Sequence, residues 1–293
     1  MIVFSRVLAT TLIALWLAVP SHAQESEERE GGIIGTGIVG TITHLGSVYV
    51  NGLRIQTDDA MAVTGSAPAI TADELQPGHT VAIVAALADD GWVARQIRQV
   101  LPVVGPVTAI ARAELTVLGT KIDAGEHVAG VNVGDWVAIS GLWQGRRVIA
   151  SRIETLTGTD HQARLSGTYL GPDLNGNTVV GGSNVSGISP RHLQLGELVR
   201  VFGQPTPDGI EATRLETGLF DATVGLIQVQ GYYSVPKPSG LYTVLGSGLV
   251  SYTDQPEMIE QSDRVIRCGQ MGQLGGSTNN PEQAGIWAEL GCH

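Results

Sequence analysis

The feature that most constrains this chain is its similarity to itself. Thr116-Val117-Leu118-Gly119 recurs as Thr243-Val244-Leu245-Gly246, with Thr178-Val179-Val180-Gly181 a close variant and Tyr49-Val50-Asn51-Gly52 a looser one. A second block follows each of these, at Pro77 to Ala85, Val133 to Gly141, Leu195 to Gly203 and Gln261 to Gly269. Fifteen residues separate Gly119 from Gly134, and again Gly181 from Gly196. The first copy is longer between the two blocks, which implies an insertion near Asp58 to Ala69. A third block closes the unit: Ala94-Arg95-Gln96-Ile97, Ser151-Arg152-Ile153-Glu154 and Thr213-Arg214-Leu215-Glu216. Related blocks at kept distances mark a tandem structural unit. They divide the chain into units at 40–101, 105–157, 165–217 and 224–292. In the last unit the closing stretch falls at Ile286 to Leu290, without an arginine.

Each unit reads as short strands. Val137, Ile139 and Gly141 alternate with Trp136, Ala138 and Ser140, the period of two of a strand. Asn51-Gly52 between Val48 and Leu53 predicts a hairpin with a type I′ turn, and Asp89-Asp90-Gly91 a second hairpin. One helical turn is expected near Thr71 to Leu75, with Thr71 as N-cap and Glu74 three residues on. Units of this size suit closed barrels of five or six strands, since closure removes exposed strand edges. The expected fold is therefore all-β, with four tandem small β-barrels of the OB or SH3-like kind. Cys268 and Cys292 are the only cysteines. Cys268 takes the place of Ser140 in the repeat, and Cys292 lies just past the presumed closing strand, so a disulfide between adjacent strands is expected.

The Gly40-to-Thr43 opening (G-T-I-T), the T-V-L-G hairpin, the L-x-x-G-x-x-V-x-V-x-G block and the closing A/S-x-R-I resemble an exported bacterial repeat family described only as a domain of unknown function. The resemblance covers nearly all of the chain after residue 23, best in the first three units. The shared residues are glycines and core valines, so the resemblance implies a fold and no chemistry. The fourth unit departs from it by losing the closing arginine and gaining the cysteines.

Residues 1–23 read as a cleaved signal peptide: Arg6, the apolar run Val7 to Val19, the helix-breaking Pro20 and the small residues Ser21 and Ala23. The apolar run is too short to span a bilayer. Residues 24–39 are acidic and then glycine-rich. These features predict a periplasmic or secreted protein, with no stable membrane insertion after signal removal. The chain carries 28 acidic against 17 basic residues, a balance that disfavours nucleic acid as a partner.

The motifs that mimic known chemistries do so incompletely. Gly35 to Gly40 matches G-x-G-x-x-G, but an acidic segment precedes it and a strand pattern follows, where a dinucleotide site needs a strand and then a helix. Asp173 to Asn177 resembles a calcium loop with its glycine misplaced. No histidines stand at metal-ligand spacing and no G-x-S-x-G elbow exists. No catalytic residue, metal or cofactor is therefore assigned. The recurring Arg95, Arg152 and Arg214 are read as structural, paired with Asp135 or Glu197. Trp143, Tyr232 and Tyr233 are the positions for a ligand-stacking face, while Trp92, Trp136 and Trp287 are read as core. The resulting expectation is a non-catalytic cell-envelope binding or scaffold protein whose partner is an envelope protein or glycan. The alternatives are a glycan- or small-ligand-binding module and an enzyme with an unrecognised site.

Overall fold

A computed structural model describes residues 35–276 and 280–292. The proposed signal peptide and the acidic segment fall outside these residues. The described residues are all-β apart from one α-helix and four single 3-10 turns. Strands β1 (Gly35–His44), β2 (Val48–Val50), β3 (Leu53–Gln56), β6 (Thr80–Ala88) and β7 (Gly91–Gln99) form a closed ring. β1 pairs with β2, β2 with β3, β3 in parallel with β7, β7 with β6, and β6 back with β1. This is the Greek-key connectivity of an OB-type barrel. The insertion expected after Asp58 is a small ladder, β4 (Ala62–Thr64) and β5 (Ile70–Thr71), which extends the edge of β7. A 3-10 turn at Ala72–Glu74 follows it, and Glu74 accepts a hydrogen bond from the Thr71 N–H at 2.9 Å.

The same ring is built by β8 (Val103–Ala111), β9 (Glu114–Val117), β10 (Thr120–Asp123), β11 (Trp136–Gln144) and β12 (Arg147–Thr155). It recurs with β13 (Ala163–Thr168), β14 (Val179–Val180), β15 (Ser183–Ser186), β16 (Leu198–Thr206) and β17 (Gly209–Thr217). A last, shorter ring comprises β18 (Val224–Gly231), β19 (Leu241–Thr243), β20 (Val250–Tyr252), β21 (Val265–Gln270) and β22 (Gln273–Leu274). In these two rings single bridges, Tyr169 to Val180 and Tyr233 to Val244, make the first-to-second strand contact.

The repeated residues have local physical causes. Asn51 and Gly52 both have positive φ, as a type I′ turn requires, and so do Leu118 and Gly119. The last glycine of the second block sits at a β-bulge: register slips between Ser140 and Gly141 and between Phe202 and Gly203. A Cβ on Gly203 would run into the Glu211 carbonyl, and one on Gly141 into that of Ile149. The polar residue after the block's first glycine staples the turn. His79, Asp135 and Glu197 accept from the backbone N–H of Gln76, Asn132 and Gln194 at 3.1, 2.8 and 3.0 Å.

Two expectations are corrected here. The stretch Ile286 to Leu290 is not a closing strand: Ile286 to Glu289 lie in the helix α1 (Pro281–Glu289) and Leu290 in the turn that follows; β22 closes that ring instead. Trp287 is accordingly on a helix, half-buried against the first barrel's core. Residues 35–39 do not precede the barrel but belong to its first strand. β1 is paired on both edges, with β6 and, in parallel, with β18. Gly37 lets Phe220 approach, since a Cβ there would lie 2.6 Å from the ring.

The barrels share two continuous sheets. β1 joins β18, linking the first ring to the last, and β8 joins β13, linking the second to the third. One apolar core runs through both the second and third barrels, for example through Val117, Ile139, Leu165 and Val201. A separate seam unites Val39 and Ala82 with Leu198, Val229, Val244 and Leu249. Asn51 Nδ2 donates to the Val39 carbonyl at 3.0 Å and to Gln228 Oε1 at 2.9 Å, while Gln228 Nε2 donates to the Leu290 carbonyl at 2.6 Å. This polar chain ties the first hairpin to the last barrel and to the end of α1.

Candidate functional site

A cleft of about 710 Å³ opens on the first barrel. Its walls are the β1–β2 loop (Leu45 to Ser47), the outer side of β3, Asp59 at the start of the insertion, Asp73 from the 3-10 turn after it, and Asp90 from the β6–β7 turn. Pleating sends Ile55 into the core and leaves Arg54 exposed and Gln56 half-exposed on the other side. Register extends this surface: His44 stands opposite Tyr49, and Tyr49 opposite Arg54. The His44 and Tyr49 rings meet edge-on at 6.0 Å. Arg54 Nε donates to Ser47 Oγ at 3.1 Å, and Gln56 Nε2 to Asp90 Oδ2 at 3.0 Å. The cleft thus presents one guanidinium, one amide and three exposed aspartates beside a half-buried tyrosine. Such a set donates to and accepts from hydroxyl groups. Sequence reading assigned none of these residues to a site: Tyr49 was noted as part of the repeat and Asp90 as a hairpin residue. The usable signal is their position, in the loops between strands one and two and between four and five of an OB-type barrel, where such barrels engage oligomers.

A second polar cluster lies between the first two barrels. His79 is 1% exposed. Its Nδ1 accepts from the Gln76 N–H, so Nε2 carries the proton and donates to Glu154 Oε1 at 3.0 Å. Arg152 Nε donates to the same oxygen at 3.1 Å. Burial would raise the pKa of Glu154, but the hydrogen bond from His79, and then the hydrogen bond and charge of Arg152, outweigh it and hold the carboxyl below its ordinary value of 4.5. Both ring nitrogens are engaged, so the imidazole joins two barrels and has no nitrogen lone pair left for a substrate.

The residues marked from sequence lie apart from both places. Trp143 is 3% exposed: its Nε1 donates to the Ser166 carbonyl at 2.7 Å and its ring fills the space above Gly181, so it offers no open stacking face. Tyr232 and Tyr233 are half-buried. Tyr233 is edge-on to Tyr242 at 5.5 Å and accepts from Arg267 Nε at 2.6 Å. The closing arginines do not form one set. Arg152 and Arg214 face Ser140 and Phe202 across their ladders, but the place opposite Val84 is held by Gln96, and Arg95 is the extra residue of the bulge. Arg152 and Arg214 pair with Glu154 and Glu216, not with Asp135 or Glu197, whose carboxylates are committed to their turns. Arg95 is exposed. The disulfide Cys268–Cys292 is present, with Cα atoms 5.8 Å apart, but it joins β21 to the end of α1 and not to a neighbouring strand. Asp173 spends its oxygens on Asn175 and Asn177. Among the described residues, no three His, Cys, Asp or Glu side chains converge in a metal-binding group, and no helix is long and apolar enough to cross a membrane.

Two adjacent segments, residues 36–98 and 104–154, match the family model described as Domain of unknown function (DUF5666). They coincide with the first two barrels, and the resemblance to a repeat family of unknown function holds over both. Neither the curated proteins nor the solved structures include a match to this chain.

Proposed function

We propose that this chain is an exported, non-catalytic binding protein of the cell envelope. It comprises four tandem copies of one barrel, with units at 40–101, 105–157, 165–217 and 224–292, behind a cleaved signal peptide at 1–23. Export rests on the reading of the leader, and the disulfide suits an oxidising compartment. The first barrel receives the ligand and the other three hold it rigid. The observation that carries this reading is the cleft at the β1–β2 and β6–β7 loops, continuous with the His44–Tyr49–Arg54 row. Its mixture of carboxylates, amide, guanidinium and a tyrosine ring suits a hydroxyl-rich glycan, while its acidic balance repels polyanions. The test is capture of envelope glycans and proteins on the immobilised mature chain, identified by mass spectrometry and repeated with Tyr49→Ala and Asp90→Ala. Glycan retained by the native chain and lost by both variants supports the reading. A protein partner whose capture ignores both variants makes the chain a scaffold and moves the site elsewhere.

A further inference from the structure

We propose that the cleft between the first and third barrels is a binding site for a small oxyanion of the phosphate class. Three arginines line it and a fourth, Arg214, stacks on Phe202 in its wall. Arg98 comes from β7, Arg164 from β13, Arg200 from β16 and Arg214 from β17. Register places Arg164 opposite Phe202 and Phe202 opposite Arg214, with Ser166, Arg200 and Glu216 in the next row. The Arg214 guanidinium lies 3.8 Å above the Phe202 ring. Arg98, Arg164 and Arg200 line a cavity of about 40 Å³ with Leu101, Phe202 and Leu219. That is room for a few waters or one tetrahedral oxyanion.

The local charges do not balance. The carboxylates in ion pairs with this cluster are Glu216, paired with Arg200 at 3.1 Å and with Arg214, and Asp221, paired with Arg98 and 3.8 Å from Arg200. Four guanidiniums therefore face two carboxylates, in a chain whose net charge is −11. Arg164 donates through Nη1 to the carbonyls of Gly65 and Ser66 at 3.3 and 2.9 Å. The Nε groups of Arg164 and Arg200 are buried and have no hydrogen-bond partner among the described residues. Burial first, and neighbouring arginines next, lower the pKa of both side chains from the ordinary guanidinium value. An oxyanion supplies what is missing, several acceptors and negative charge, in the form guanidinium forks recognise. Asp221, half-exposed on the segment joining the last two barrels, is a carboxylate that competes for the same arginines.

The test is calorimetric titration of the mature protein with sodium phosphate and with glycerol 1-phosphate at matched ionic strength, alongside thermal unfolding with chloride as reference. Saturable binding of inorganic phosphate, with a rise in Tm beyond that in chloride, is expected by linkage. Binding of the ester as well would assign the site to a phosphoryl group on a larger ligand; refusal of it would assign the free ion. Arg200→Gln should abolish binding. Because that variant risks misfolding, Asp221→Asn is the decisive partner: removing the competing carboxylate should tighten binding several-fold. No heat and no ion-specific stabilisation, or an affinity unchanged in Asp221→Asn, overturns the proposal.

Discussion

At Gly203 a single hydrogen atom is all the space between two strands allows, because the Glu211 carbonyl occupies the place of a Cβ. Gly203→Ala should therefore destabilise by about 1–3 kcal/mol, as overpacking does, seen as a lower urea midpoint with an unchanged slope. Trp143 makes the opposite point, since an aromatic placed for display is a core residue that joins barrels. Trp143→Ala should cost about 3–5 kcal/mol and leave glycan capture intact once the variant is folded. Glu154 brings pH into the interface. Its pKa is lowered in the folded state, so its contribution is complete above the ordinary value of 4.5 and fades as pH falls through the lower folded value. Glu154→Gln should flatten the loss of stability below pH 4.5, followed by urea melts at stepped pH; an acid limb identical to the native one would remove the pair from the account.

The fate of the last cysteine is decided by how α1 starts and stops. Pro281 opens the helix, where its missing N–H costs nothing. Gly291, with φ of 66°, ends it. The Cys292 N–H then reaches back to the Trp287 carbonyl at 3.1 Å and the Gly291 N–H to that of Ala288 at 2.8 Å, a Schellman closure that delivers Cys292 to Cys268. Reduction of the disulfide, which closes a loop with a sequence separation of 24, should cost about 3 kcal/mol, read as a shift in urea midpoint with and without dithiothreitol. The pairing was legible from two cysteines and an export signal, but its partner element was not. The repeat template imposed a strand on Ile286 to Leu290, whose i, i+4 apolar spacing also fits a helix. The same template hid the register of the first barrel. There the bulge falls at Ala85 with no glycine to mark it, so Arg95 aligns with Arg152 by motif but stands one residue away on the ladder. Strands, turns and the Asn51-Gly52 hairpin were legible because each depends on residues near in sequence. The cleft of the first barrel was not, because it joins residues 45–47, 54–59, 73 and 90 through barrel closure.

Tandem units of one fold can unfold one by one when each touches only its neighbour. Here the first and last barrels also share a ladder, β1 beside β18, and the seam of Val39, Leu198, Val229 and Leu249 mixes side chains from three barrels. Removing any one barrel would strip an edge or a core face from another, so the rings should melt together. Tryptophan placement allows a direct test: Trp92 reports the first barrel, Trp136 the second, and Trp287 the helix that follows the last. Replacing every other tryptophan of the mature chain, Trp143 included, with phenylalanine gives single-reporter proteins, each with its own overall stability. Within each, the fluorescence midpoint in urea should coincide with that of far-UV circular dichroism, the signature of one cooperative unit. A reporter that melts ahead of the dichroism would identify an independent barrel. It would also show that the β1–β18 ladder does not couple the two ends of the chain.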